Sequence, residues 1–198
     1  MGLDLEQQRR RMLSGAHYND LTEELVAARA RAVRLATAYH DSFGDDPVVR
    51  EALLRQLLRS VGDGACFEPG FRCEFGFNIT VGKNFYANFD CIILDGAEVT
   101  IGDHVLFGPR VGVYTSNHAI DAGERVAGAC YAKPVTIGDR AWIGGGVNIN
   151  QGVAIGANSI IGSGSLVTKD IPPDVIAAGT PCKVIRPITA ADRVGFIP

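Results

Sequence analysis

The stretch VTIGDRAWIGGGVNINQGVAIGANSIIGSGSLVTKDI at 135–171 decides the fold. Ile137, Ile143, Ile149, Ile155, Ile161 and Val167 follow one another at a step of six, and the next position is Gly138, Gly144, Asn150, Gly156, Gly162 and Thr168. Ala141, Val147, Val153, Ser159, Ser165 and Ile171 add a small or apolar residue four places after each. Six is neither a helical period nor the alternation of two that marks an ordinary half-buried strand. It makes sense if each hexad is one short strand with its corner, so that three hexads wind one triangular coil and each coil stacks on the last. The aliphatic residue then points inward, and Gly or Asn is expected to supply backbone freedom at the corner. Irregular Gly-rich hairpins of a β-sandwich do not keep an unbroken step of six.

Upstream, the same step reads Phe75, Val81, Ala87 and Ile93, then resumes two residues late at Ile101, Phe107 and Val113. Thirteen hexads predict about four coils, a prism near 20 Å long at ~4.8 Å per rung. Its open ends need covering, by helices or by another subunit. Between Val113 and Val135 the pattern stops for YTSNHAIDAGERVAGACYAKP at 114–134, which holds His118, Asp121, Glu124, Arg125, Tyr131 and Lys133. An excursion of that length in a compact domain is usually functional.

Residues 1 to about 60 differ in kind, with nine Arg, nine Asp or Glu and few glycines. Leu21, Leu25, Ala28, Ala32, Leu35 and Tyr39 lie at helical spacing, and Asp20 with Glu23 has the form of a capping box. A second helix starts at Asp46 and Pro47 and runs through Leu53, Leu54, Leu57 and Leu58. The organisation expected is therefore a helical segment at 1–61, a hexad prism at 62–186 with its loop at 114–134, and a tail at 187–198.

Composition narrows the function. The 198 residues carry 19 basic and 22 acidic side chains, so no global field draws nucleic acid or an anionic membrane, and neither is an expected partner. The start MGLDLEQQRRRM has charges where a signal peptide needs an apolar core, no run of 18 apolar residues follows, and the cytoplasm is the expected compartment. Gly2 opens an acylation reading that Glu6 closes, because Ser or Thr is needed there. Five cysteines without a C-x-x-C pair indicate neither a disulfide framework nor a cysteine zinc site.

NFYANFD at 84–90, SNHAID at 116–121, the run from Pro134 to Gly146 and VTKDIPPDVIAAGTPCKVIR at 167–186 resemble the maltose and galactoside O-acetyltransferases, a group of the hexapeptide-repeat acyltransferases, over nearly the whole chain. The resemblance implies a mainly β fold, a left-handed parallel β-helix, although ordinary parallel crossovers are right-handed. It further implies a homotrimer, acetyl-CoA as cosubstrate bound between neighbouring prisms, and a sugar hydroxyl of maltose, glucose or galactoside type as acceptor. No metal is implied.

By the same resemblance His118 is the general base, a role an imidazole suits because its ordinary pKa, near 6.5, leaves it neutral and able to take a hydroxyl proton. Asn88 matches an acceptor-site amide, or else is a left-handed corner residue. Asp20 and Asp95 are further acceptor candidates, Asp20 alternatively a helix cap, and Glu74 stands at another acceptor position where galactoside members carry serine. Gly96 replaces an aspartate of those members, so the acceptor is left open. For the coenzyme, backbone groups at Gly145 and Ser163 suit a pantetheine arm and Trp142 an apolar wall. Thr168, Lys169 and Arg186 match coenzyme residues, and Lys183 replaces an arginine of some members; these cations suit phosphates in a chain with only four lysines. The expected reaction is direct, with a backbone N–H for the oxyanion and no acyl-enzyme on Cys182. The other readings are a xenobiotic, antibiotic or serine O-acetyltransferase on the same fold, a scaffold prism, and a zinc carbonic anhydrase. The last needs three imidazoles, and the coil region offers only His104 and His118.

Overall fold

The computed structural model describes residues 3–196; Met1 and Gly2, with the acylation reading that concerned Gly2, and the last two residues of the tail lie outside it. Short strands wind a three-sided prism. Its first face holds Ser60–Val61, Ile79–Val81, Val99–Ile101, Val135–Ile137 and Ala154–Ile155. The second holds Cys66–Phe67, Tyr86–Ala87, Leu106–Phe107, Trp142–Ile143 and Ile160–Ile161. The third holds Arg72–Cys73, Ile92–Leu94, Gly112–Tyr114, Asn148–Asn150 and Leu166–Val167. Every strand on a face pairs in parallel with its neighbour in the adjacent coil, as Val113 does with Ile93 and Ile149.

The inward residues form one continuous core, in which Ile93, Val113, Ile143 and Ile149 are fully buried. Each such aliphatic side chain contributes ~1.5–3 kcal/mol by leaving water. Phe67 and Phe107 of the second face pack edge to face on Phe85 between them, with ring centroids 5.1 Å apart in both steps.

The glycine that follows an inward aliphatic residue is there for room, not for backbone freedom. Left-handed backbone instead falls three residues after the inward position, on non-glycine residues such as Asn84, Asp90, His104, Arg110, Arg140, Asn158 and Asp174 as well as on glycines such as Gly146, Gly152 and Gly164. At Gly138 an added Cβ would sit 2.5 Å from the Ala157 nitrogen of the next coil, and at Gly144 2.6 Å from that of Ser163.

Five full coils form, with Val175–Ala178 adding a further rung on the second face, rather than four. The extra turn lies upstream, where Val61, Phe67 and Cys73 already point inward. Phe75 is therefore not a rung residue; it is buried in a separate cluster with Tyr18, Leu25 and Cys130. The true breaks are two-residue insertions between Cys73 and Val81 and between Ile93 and Ile101, followed by the long excursion after Val113. All three fall on the edge between the third and first faces.

Three helices precede the prism, not two. Helix α1 (Leu5–Leu13) has a reciprocal cap between Asp4 and Gln7. Helix α2 (Glu23–Asp41) starts at Thr22 with no side-chain cap. The capping box expected of Asp20 does not form, because Asp20 pairs instead with Arg29 of α2. Helix α3 (Pro47–Leu57) is capped by Asp46 as expected. Leu54, Leu57 and Leu58 join the prism core and close its first end. Tyr39 of α2 ties helix to coil, donating its hydroxyl to the Phe67 carbonyl at 3.1 Å under the Arg50 guanidinium. At the other end Lys183–Pro187 turns back antiparallel on Val175–Ala178.

Candidate active site

The long excursion leaves the third face as the strand Ser116–His118, passes through helix α4 (Ala122–Val126) and returns as Ala129–Ala132. The short strand Tyr18–Asn19 joins on the far side, so Ala129–Ala132 is the central strand of a three-stranded antiparallel sheet. This small sheet stands on the third–first edge and presents His118, which is exposed, at the prism surface.

Beneath it lies an ionic cluster that sequence reasoning saw only in part. Arg29 reaches Asp20 at 3.2 Å and Glu74 at 3.1 Å, and the Ser116 hydroxyl donates to Glu74 at 3.4 Å. Glu74 keeps only 14% of its side chain exposed. Burial raises its carboxyl above the ordinary range, and Arg29 opposes that rise. His118 Nδ1 lies 3.1 Å from the Cys130 sulfur. Burial, then the charge of Asp20, pushes the Cys130 thiol up to about 12.

Asp95 leaves the acceptor set. It is fully buried and accepts backbone N–H bonds from Phe75 at 2.8 Å and Asn78 at 3.2 Å, pinning the insertion at 74–78. Arg29, Ser116, Tyr18 and Cys130 take its place around the site. Of these, only Arg29 had a readable signal, a charge on the otherwise apolar inner side of α2. Cys130 and Tyr18 are brought in by strand pairing that no periodicity announces.

Asn88 stands elsewhere on the same chain. It follows the second-face strand Tyr86–Ala87, and its side chain accepts the Phe89 N–H at 2.7 Å. It is not among the left-handed corner residues; Asp90 is. Asn88, Gly145 and Ser163 occupy corners of the second–third edge, with the Gly108–Arg110 corner between the first two. Those corners are laddered by Arg110 N–H to Phe89 O at 2.8 Å, Gly146 N–H to Pro109 O at 2.8 Å and Gly164 N–H to Gly145 O at 2.9 Å. Trp142 is half exposed on the second face beside this column. Thr168 and Lys169 follow the last third-face strand and so share the His118 edge. Lys183 and Arg186 lie on the returning strand beyond the last coil, where Arg186 is already held by two bonds to Asp192, at 2.9 and 2.7 Å. One chain thus carries the candidate residues in two groups on two edges: His118 with Asp20, Glu74 and Lys169 on one, and Asn88 with Gly145 and Ser163 on the other.

The remaining histidines serve locally. His17 packs on Tyr131, His40 accepts the Gly70 N–H, and His104 turns a left-handed corner. Cys182 is buried, with its thiol raised by burial. Among the described residues no three His, Cys, Asp or Glu side chains gather as a metal-holding group, and no helix is long and apolar enough to cross a membrane.

A maltose acetyltransferase hexapeptide capping motif matches residues 11–62, and six bacterial transferase hexapeptide repeats match 134–169. Galactoside O-acetyltransferase of Escherichia coli is 44% identical over 92% of this chain and 90% of its own length. The crystal structure of a maltose O-acetyltransferase from Clostridium difficile superposes with a TM-score of 0.88 at 47% identity, over 92% of this chain and 97% of that one. A hexapeptide-repeat acetyltransferase from Vibrio cholerae, complexed with acetyl-CoA, superposes at 0.84 with 41% identity over 92% and 98%. A coil of opposite hand could not be superposed so closely, so the winding is that of these structures. With helices, prism and loop all matched, the chain is an acetyltransferase and belongs to the maltose/galactoside O-acetyltransferase family of hexapeptide-repeat enzymes.

Proposed function

We propose that the protein moves an acetyl group from acetyl-CoA to a sugar hydroxyl, with His118 as general base. The observation that carries the reading is an exposed imidazole on the strand whose Ser116 bonds Glu74 of a shielded carboxylate–guanidinium cluster. Sugars are recognised by paired hydrogen bonds from hydroxyls to short carboxylates and amides, which Asp20, Glu74 and Asn88 supply. Arg29 holds both carboxylates in place as acceptors.

The sequence of events is direct. Nε2 of His118 takes the hydroxyl proton while the sugar oxygen attacks the thioester carbonyl, a backbone N–H meets the developing oxyanion, and the CoA thiolate leaves, taking up the proton. The pantetheine arm runs along the second–third corners at Gly145 and Ser163 against Trp142, and Thr168, Lys169, Lys183 and Arg186 hold the phosphates. Because the arm's corners and His118 are on different edges, a complete site takes both from different chains, and a closed ring of three satisfies all of them. Nothing in this route uses a metal, so activity is expected to survive dialysis against a chelator. Five free thiols among the described residues suit a reducing compartment, the cytoplasm.

The test is an acceptor screen, following CoA thiol release with glucose, maltose, galactosides and hydroxylated antibiotics. Release with a sugar, lowered ~10²–10⁴-fold by His118→Ala with CoA binding intact, is the expected result. Release with antibiotics alone, or full turnover in the variant, would discard it.

A further inference from the structure

An imidazole serves as base only if the nitrogen facing the acceptor is the unprotonated one, and that is decided by what its other nitrogen touches. In this protein the other nitrogen touches sulfur. His118 and Cys130 are directly opposite in the antiparallel ladder. The backbone hydrogen bonds fall on flanking pairs, Ala119 N–H to Ala129 O at 2.9 Å and Lys133 N–H to Thr115 O at 3.0 Å. His118 and Cys130 are therefore a non-hydrogen-bonded pair, the kind that brings facing side chains closest. The register alone thus delivers the 3.1 Å contact between Nδ1 and Sγ.

We propose that Cys130 is the positioning residue of His118, its sulfur accepting the Nδ1–H so that Nε2 is held bare toward the acceptor hydroxyl. The purpose rests on the acetyl-transfer reading; the geometry does not.

A thiol beside an imidazole can instead donate to it, which would put the proton on Nε2 and spoil the base. The surroundings choose between the two. The central strand places Cys130 opposite His118 on one side and Tyr18 on the other, and the Asp20 carboxylate lies beside the same thiol. A carboxylate accepts only, so the negative field of Asp20 favours the rotamer with S–H toward it and the sulfur lone pairs toward Nδ1–H. Cys130 is 3% exposed, so the sulfur itself is shielded from water. Once Nε2 has taken the hydroxyl proton, the imidazolium's Nδ1–H bond to sulfur becomes charge-assisted and strengthens at the moment it is needed. The proton then passes from Nε2 to the departing CoA sulfur, and Cys130 keeps its own throughout.

The same surroundings argue against Cys130 as a nucleophile. With Asp20 and Glu74 on its flank and burial against it, the thiol stays protonated, whereas the attacking species is a thiolate.

The test reads the ring directly. In the wild-type protein, ¹⁵N NMR of the His118 side chain near neutral pH is expected to show Nδ1 protonated and Nε2 bare. Cys130→Ala should mix the tautomers and lower kcat by ~10–100-fold, the range seen for groups that orient a functional histidine, with the KM for acetyl-CoA unchanged. Cys130→Ser, which keeps a donor and an acceptor, should restore most of the loss. Nε2 protonated in the wild type, or Cys130→Ala with unaltered kcat and tautomer, would overturn the proposal, as would an acetyl group trapped on Cys130. If no acceptor is ever acetylated, the ring spectrum still decides whether the pairing exists, so the two readings fail separately.

Discussion

Asp95 looks like a binding carboxylate and behaves as a structural one. Its oxygens satisfy backbone N–H groups of the Phe75–Asn78 turn, and its own carbonyl accepts the Asn78 amide at 2.8 Å. Burial lifts its carboxyl from 3.8 to about 6 against those hydrogen bonds. The sign of the linkage follows. Between these two values the folded chain holds a proton that the unfolded chain has released, so stability is greatest below 3.8 and falls as the pH rises through 6. The loss is on the order of 3 kcal/mol across the window. Asp95→Asn removes the titrating group. Its denaturation midpoint should be lower than wild type at pH 4 and should close much of that gap by pH 7. Parallel pH curves for the two proteins would refute the assignment. The neighbouring Glu74 is raised in the same direction, but Arg29 sets it apart: its charge is answered at 3.1 Å by a guanidinium rather than by backbone dipoles.

At the scale of the element, the rung is the unit, and its glycine is the least replaceable part. Gly144 has ordinary backbone angles, so the cost of a side chain there is one of space. A methyl group would meet the Ser163 nitrogen at 2.6 Å and force two coils apart. Gly144→Ala is expected to destabilise by ~1–3 kcal/mol or more, whereas Gly146→Ala, with open space but a φ of 68°, pays only in backbone strain. Thermal melts of the two variants, with CoA affinity as a second readout at this corner, check the order.

The prism was legible because one residue type recurs at one step, and a period of six admits few structures. The helices were legible where caps were local, as at Asp46 and Pro47. They were misread at Asp20, where a partner nine residues on outcompetes the cap. The first coil was missed because, of its inward residues Val61, Phe67 and Cys73, only Val61 is followed by the glycine that advertises later rungs, and a two-residue insertion after Cys73 breaks the step. In the site, His118 stood out as the histidine in the long excursion, whereas Arg29 and Cys130 come to it through tertiary pairing. A register between strands twelve residues apart has no signature in spacing, and that is why Cys130 was invisible; Arg29 showed only as a charge on the inner side of α2, with its partners set by the tertiary fold.

At the scale of the molecule, the insertions explain the division of labour. Every departure from six falls on the third–first edge, which therefore carries the turns and the excursion that place Asp95, Glu74 and His118. The second–third edge keeps a strict step and stays a smooth backbone column, the surface along which an extended arm can lie. On the proposed reading neither edge suffices, and the faces of a rigid prism cannot fold one onto the other. Contact between copies is the only way to unite them, and this makes a sharp test. His118→Ala and Asn88→Ala each spoil every site in a homotrimer. In trimers reassembled from an equal mixture, each interface draws an intact His118 and an intact Asn88 from two different variants about one time in four, so turnover should recover to about a quarter of wild type. If instead both residues served a site within one chain, every site in the mixture would hold one defective partner. Activity would then stay at the mean of the two variants, however long the subunits were allowed to exchange.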